Sequence, residues 1–439
     1  MLHVAIAVIV VVGSKPLCLT VLYLFFMISP ILLLRAAASV SSPFALRAAS
    51  TSSSQCTSVP KVNLAELQSA VSSPDAFADS SVSDIVREAF IGRSSLGAIS
   101  VKVPGFGDKR RRALQSGAWF ALDPTAAEAR NSCRLGGSEG DARVQPGWSG
   151  NPSREDHPIQ SGFYCNLCQE MGSEVDAVFG ANRWPDKEDS RNFKDALKDA
   201  GRTMQEVTIL VLKAARHAAV SEARSRGVDV GENDDMKKII AQSDTFLPLR
   251  LTYYDANHTR EDMLVGGRYI LPWHVDFNMA TAFISAIWVD EARAIRGKYD
   301  IKDLFTAQEK NPERGAGLLL RNAARDVVPA SIDEDCILIQ LGAYSQLASG
   351  GLLRAGPHAV GKLDGEDDED RGAKGRLTLG LFTYAPWEAR MLPPSEGDRA
   401  TVLEDDFGGL MRRAYTGDTV RAGFQSFADY MNAPRSSKY

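Results

Sequence analysis

Between about residue 246 and residue 384 the chain breaks into short β-like runs separated by turns, and this restricts its fold more than any other feature. The runs are Leu249 to Tyr254, Tyr269 to Val275, Ala282 to Val289, Leu318 to Arg321, Cys336 to Leu341, His358 to Val360 and Leu377 to Tyr384. Many short strands at such spacing predict a sandwich or barrel of jelly-roll type. No internal repeat is evident. The preceding half reads differently. Val59 to Leu64 is a short opening strand, and residues 81–90 carry apolar side chains at helical spacing. Gly97 to Val103 alternates like a strand and closes at Pro104-Gly105. Residues 108–120 look helical. The 131–180 stretch is rich in Gly, Pro, Asn and Ser and reads as loop. A long helix runs from about Ser190 to Ala223, where Phe193, Leu197, Met204, Val207, Leu210, Val211 and Ala214 recur at three and four.

The expected organisation is a leader over 1–56, an α-rich region over 57–235, a β region over 236–392 and a helical tail over 393–439. Residues 4–13 and 17–34 are almost wholly apolar. The second run is long enough to span a bilayer, although Pro30 weakens the helix. It equally suits the core of a long signal sequence, followed by small residues. A Ser-rich, Arg-bearing, acid-free stretch comes next, of transit-peptide composition. Such a bipartite leader predicts delivery to a plastid bounded by extra membranes; a membrane anchor or secretory route is the alternative. A net charge of −5 gives no reason to expect a nucleic-acid partner. Six scattered cysteines are not a disulfide framework in a chain of 439 residues.

The chemistry concentrates in Trp273-His274-Val275-Asp276. On a strand, side chains at i and i+2 leave one face, so His274 and Asp276 offer two adjacent metal ligands. His358, in Gly356-Pro357-His358, is a candidate third. Two His and a carboxylate with open positions suit non-haem Fe(II). Further on, Arg376 and Thr378 share one strand face, where a guanidinium and a hydroxyl could hold a carboxylate. A lone His-x-Asp pair is more often a strand residue bonded to its neighbour; order and context raise these residues above that background.

These motifs resemble the isopenicillin N synthase-like group of 2-oxoglutarate/Fe(II)-dependent dioxygenases over roughly residues 57–390. Val59 to Leu64 is similar to that family's opening strand. Asn182-Arg183-Trp184-Pro185 with Phe193 resembles its "N-x-W-P … F" segment, and Leu249 to Tyr254 its "L-R-x-N-Y-Y" strand. The His-x-Asp, "P-H-x-V" and "R-x-S/T" motifs follow in family order. The resemblance implies a double-stranded β-helix flanked by helices, with Fe(II) held by His274, Asp276 and His358. It implies 2-oxoglutarate bound by Arg376 and Thr378 with Tyr254 helping, O2 as oxidant, and ascorbate as reductant. The implied reaction hydroxylates or desaturates a small organic substrate and releases succinate and CO2. The expected partners are that substrate alone, with membrane contact only through the N-terminal segment and a monomeric state.

The chain also departs from the family. Asp276 and His358 are further apart than usual, with a charged insertion at 290–314, and a second insertion spans 364–374. Thr252 replaces the usual Asn, Asp255 the usual Pro, and Ala343 the usual Asp. A 2-oxoglutarate-independent oxidase of the same fold is one rival; Arg376 and Thr378 argue against it. A non-catalytic jelly-roll binding protein is another; three intact ligand candidates argue against that. Among the remaining features, Cys165-x-x-Cys168 lacks companions for a zinc site and reads as free thiols. Lys109-Arg110-Arg111-Arg112 reads as a solvated helix face. His157, His217 and His258 read as ordinary. Trp273 and Phe277, on the far face from the metal pair, read as core.

Overall fold

The computed structural model describes residues 58–92, 94–134, 146–150, 160–172, 180–186, 192–227, 237, 240–241, 246–255, 269–290, 317–349, 351–361 and 374–389. The leader, most of both insertions, the C-terminal tail, His157 and His258 lie outside the described residues. No helix among the described residues is long and apolar enough to cross a membrane.

Strands and helices appear in the order β1 (Lys61–Asn63), α1 (Leu64–Ala70), α2 (Pro74–Ala78), α3 (Ser81–Phe90), β2 (Ala98–Lys102), α4 (Phe106–Leu122), α5 (Ala127–Ser132), β3 (Gly147–Trp148), β4 (Gln160–Asn166) and α6 (Phe193–Ser225). Then come β5 (Pro248–Tyr254), β6 (Tyr269–His274), β7 (Ala280–Ile284), β8 (Ile287–Asp290), β9 (Gly317–Arg321), β10 (Val327–Pro329), β11 (Cys336–Leu341), α7 (Ala343–Ala348), β12 (His358–Gly361) and β13 (Lys374–Thr383).

Two sheets result. The major sheet runs β1-β2-β11-β7-β13-β5-β4-β3, with β8 also on β13; the minor sheet runs β10-β9-β12-β6. The expected mainly β, jelly-roll core with flanking helices is what the chain forms. Four strands from the first half, β1 to β4, belong to the major sheet. Helices α4 and α6 lie against the major sheet. Period-2 alternation sorts the side chains of β5. Leu251 faces the helices, so close to Gly117 of α4 that a methyl group there would come within 2.7 Å of it. Thr252 and Tyr254 therefore point the other way, into the interior.

Three expectations need correcting. The 131–180 stretch is not all loop: β4 pairs along its whole length with β5. Gly162 and Asn166 weaken its local strand signal, and cross-strand pairing overrides it. The run Ala282 to Val289 is two strands, broken at Ser285-Ala286. Buried Arg110 grips this break, donating from Nε to the Ser285 carbonyl at 2.8 Å and from Nη2 to that of Ala286 at 3.3 Å. The basic run in α4 is thus not simply a solvated face. Burial pushes the Arg110 guanidinium down to about 10, still charged at neutral pH. Lys109 and Arg112 both pair with Asp199 of α6.

The Asn182-Arg183-Trp184-Pro185 segment is held by Glu170. Its carboxylate accepts from Trp184 Nε1 at 2.7 Å and Asn182 Nδ2 at 3.2 Å, and pairs with Lys198 of α6. The Trp184 ring meets Phe163 and Phe193 in the core. Partial burial pushes the Glu170 carboxyl up, but the bonds from Trp184, Asn182 and Lys198 outweigh it and hold the group below its ordinary 4.5. A depressed folded-state value contributes stability above pH 4.5 that is lost as pH falls through the folded value. Glu170→Gln is therefore expected to lower stability by about 1–2 kcal/mol at pH 7. The difference from the parent should shrink in denaturant melts below pH 4.5.

Cys133, Cys165, Cys168 and Cys336 are buried thiols that form no disulfide among the described residues. Desolvation holds the Cys165 thiol far above its ordinary range. Such a thiol is inert. The His217 ring packs against that of Phe77 in the helical layer, 5.5 Å away and tilted by 35°. Trp273 and Phe277 sit partly buried against the main core, as expected.

Candidate metal centre

His274 ends β6 and His358 begins β12, and the two are directly opposed across the antiparallel pair. Facing residues on one rung bring their side chains together. The rings lie 4.1 Å apart, centre to centre, tilted by 51°. Asp276 lies just beyond the end of β6, so strand alternation alone does not aim it. The backbone does: the Asp276 carbonyl accepts from Ala343 N at 2.7 Å, and the Met279 carbonyl from Gly342 N at 2.9 Å. This turn fits tightly under the start of α7. A Cβ at Gly342 would come within 2.1 Å of the Asn278 carbonyl oxygen.

Asp276 Oδ1 lies 3.8 Å from His274 Nε2, and Oδ2 lies 3.8 Å from His358 Nε2. One ligand atom from each of the three residues falls within 4.8 Å of the others; no other such cluster of His, Cys, Asp or Glu occurs among the described residues. The ring nitrogens away from the cluster are engaged. His274 Nδ1 lies 2.7 Å from the Pro272 carbonyl, and His358 Nδ1 3.0 Å from that of Gly356. A carbonyl can only accept, so each Nδ1 carries a proton; a ring in its neutral form then turns an Nε2 lone pair to the cluster, the tautomer a metal requires. Burial, with His274 adding to it, pushes the His358 imidazole down to about 4 against the pull of Asp276. It is neutral at physiological pH and competent to ligate. The donor set fits a divalent metal that keeps open positions.

Arg376 of β13 is opposed to Tyr254 of β5, and Thr378 to Thr252. The Arg376 side chain crosses the interior towards the minor sheet: a Cβ at Gly317 of β9 would lie 3.9 Å from Arg376 Nε. Gly317 is three residues along β9 from Leu320, the neighbour of His358. At strand rise that places the guanidinium end of the site about 10 Å from the histidine rung. Arg376 is 7% exposed. Its guanidinium lies 5.5 Å from the Tyr254 ring, and no carboxylate acts on it among the described residues. Burial pushes its pKa down, with Tyr254 opposing, yet an arginine stays charged. Among the described residues, Thr378 Oγ1 makes only a long 3.4 Å bond, to the Ile284 carbonyl. Among the described residues, the interior thus holds a buried cation with no carboxylate partner and with hydroxyl groups beside it.

Two contributors escaped the sequence reading. Thr281 of β7 donates its hydroxyl to Asp276 Oδ2 at 2.5 Å, and Gln340 of β11 lies 2.6 Å from His358 Nδ1 through its amide. The available signal was a single polar residue in the otherwise apolar run Cys336 to Leu341, since a buried amide needs a partner.

No protein-family model matches the chain, and no curated protein matches it in sequence. Solved structures do. A full-length Neurospora crassa protein in complex with alpha-KG is 15% identical, with a TM-score of 0.51, covering 77% of this chain and 90% of that one. The same Neurospora protein with alpha-KG and thymine is 15% identical, with a TM-score of 0.50, covering 77% and 91%. The chain shares the fold of that protein. The likeness covers 77% of this chain, so the expected architecture stands on topology and on comparison alike.

Proposed function

We propose that the chain is an Fe(II)- and 2-oxoglutarate-dependent oxygenase that oxidises a small organic substrate with release of succinate and CO2. One observation carries the reading: three metal-type ligands and a buried guanidinium with no carboxylate partner among the described residues line the interior of one jelly roll. His274, Asp276 and His358 would hold Fe(II) and leave its other positions open. When bound, the iron supplies the redox chemistry that couples O2 and keto-acid cleavage to C–H oxidation.

The chain's own residues do the rest. Arg376 forks onto the far carboxylate of 2-oxoglutarate through two charge-assisted bonds. The hydroxyls of Thr378 and Tyr254 stand on the same interior face to add donors. A guanidinium buried without a counter-ion is costly, and a carboxylate ligand removes that cost. The same fold in the Neurospora protein accommodates alpha-KG and thymine, which supports both the co-substrate and the small-molecule class. Arg376 disfavours an oxidase that dispenses with the keto acid. The convergent ligands disfavour a binding protein without chemistry.

The test is succinate release from 2-oxoglutarate by the purified protein with Fe(II) and ascorbate, screened over a metabolite panel. Succinate that depends on iron and rises with one class of compound is expected. Absence of both succinate and 2-oxoglutarate binding by iron-loaded protein would remove the proposal.

A further inference from the structure

Gln340 and Thr281 are opposed residues on one rung of the β11–β7 ladder. Their side chains therefore leave the same face of the major sheet, about 5 Å apart at Cβ. Both are fully buried. Each ends on a different candidate ligand. Thr281 Oγ1 donates to Asp276 Oδ2 at 2.5 Å and in turn accepts from Asn278 Nδ2 at 2.9 Å. The Gln340 amide sits 2.6 Å from His358 Nδ1.

The second contact poses a problem of proton count. As placed, the Gln340 atom facing Nδ1 is the amide nitrogen, and Gln340 Oε1 is buried with no partner. Yet Nδ1 also faces the Gly356 carbonyl at 3.0 Å. A carbonyl cannot donate, so Nδ1 bears hydrogen. Two N–H groups cannot satisfy one another at 2.6 Å. The two ends of an amide differ little in shape, and the hydrogen-bond network decides which is which. Rotating the amide by half a turn places Oε1 on the Nδ1 proton and gives the stranded oxygen a partner.

We propose that Gln340 and Thr281 form one cross-strand clamp that positions two metal ligands, with Gln340 accepting from His358 Nδ1–H through Oε1. The clamp rests on the metal reading above and extends it. It ties the ligands to the major sheet, although both histidines belong to the minor one. Gln340 fixes the His358 ring and its tautomer, and Thr281 fixes the rotation of the Asp276 carboxylate. Tight packing supports the assignment, since a Cβ at Gly356 would come within 2.7 Å of Gln340 Cγ. These are positioning residues, because neither offers an atom to the metal.

The probe is Co(II) alone, titrated calorimetrically into the full-length apoprotein, with thermal melts of each apo variant as control. Gln340→Met keeps the volume and loses the acceptor; it should weaken Co(II) binding ~10–100-fold with little change in the melt. Gln340→Glu keeps an acceptor and should restore affinity to within about threefold. Thr281→Val should weaken binding on the order of 10-fold, and Thr281→Ser should not. Parent-like affinity in both Gln340→Met and Thr281→Val overturns the clamp. Gln340→Glu as weak as Gln340→Met overturns the assignment of the oxygen. If Gln340→Met does not fold, the Thr281 pair carries the test. Failure of the parent protein to bind Co(II) would instead defeat the metal reading itself, and the clamp with it.

Discussion

His274→Ala, Asp276→Ala and His358→Ala are each expected to cut 2-oxoglutarate turnover by more than about 10³-fold, well beyond the ~10–100-fold cost of losing an outer partner. The reason is geometric. The three ligand atoms already lie within 4.8 Å of one another, and removing any one leaves a two-point site. The fold should survive. The backbone of residue 358 is paired to β6 on one side and β9 on the other, and His274 and Asp276 are only partly buried. Circular dichroism and Co(II) titration on each variant check both halves of the expectation. Loss of turnover with Co(II) affinity intact would show that these side chains do not hold the metal.

The second large effect is at Arg376. Arg376→Met should weaken 2-oxoglutarate binding by about 3 kcal/mol or more, on the order of 10²-fold, as expected for truncating one partner of a buried charge pair. Co(II) affinity should stay within about twofold, because the guanidinium sits about 10 Å from the histidine rung along β9. An unusual stability effect should accompany the loss. In the ligand-free protein the guanidinium is desolvated and has no carboxylate partner among the described residues, so an apolar replacement should leave the melting temperature unchanged or raise it. Calorimetric titration of 2-oxoglutarate into Co(II)-loaded protein, with melts of the apo form, measures both. Equal loss of metal and keto-acid affinity would contradict the role.

Much of this was legible in the residues because it depends on local rules. Alternation places Arg376 and Thr378 on one face, and helical periodicity marks α6. Short strands at regular spacing announce a jelly roll. What was not legible depends on partners distant along the chain. Gln160 to Asn166 has little strand character of its own and becomes β4 only because β5 lies beside it. Arg110 sits in a run of four basic residues, indistinguishable there from its neighbours, yet it alone is buried on the β7–β8 break. Nothing near Gln340 or Thr281 in the sequence announces that they share a rung.

The sequence by itself determined which side chains could do chemistry, since residue type and two-residue spacing decide what a strand can present. Only the tertiary structure decided that they meet. Antiparallel pairing of β6 with β12 sets His274 against His358, the turn under α7 aims Asp276, and the closing of one sheet over the other turns Arg376 inward. Those are register and packing facts, settled by long-range hydrogen bonds and burial that no local window of residues contains.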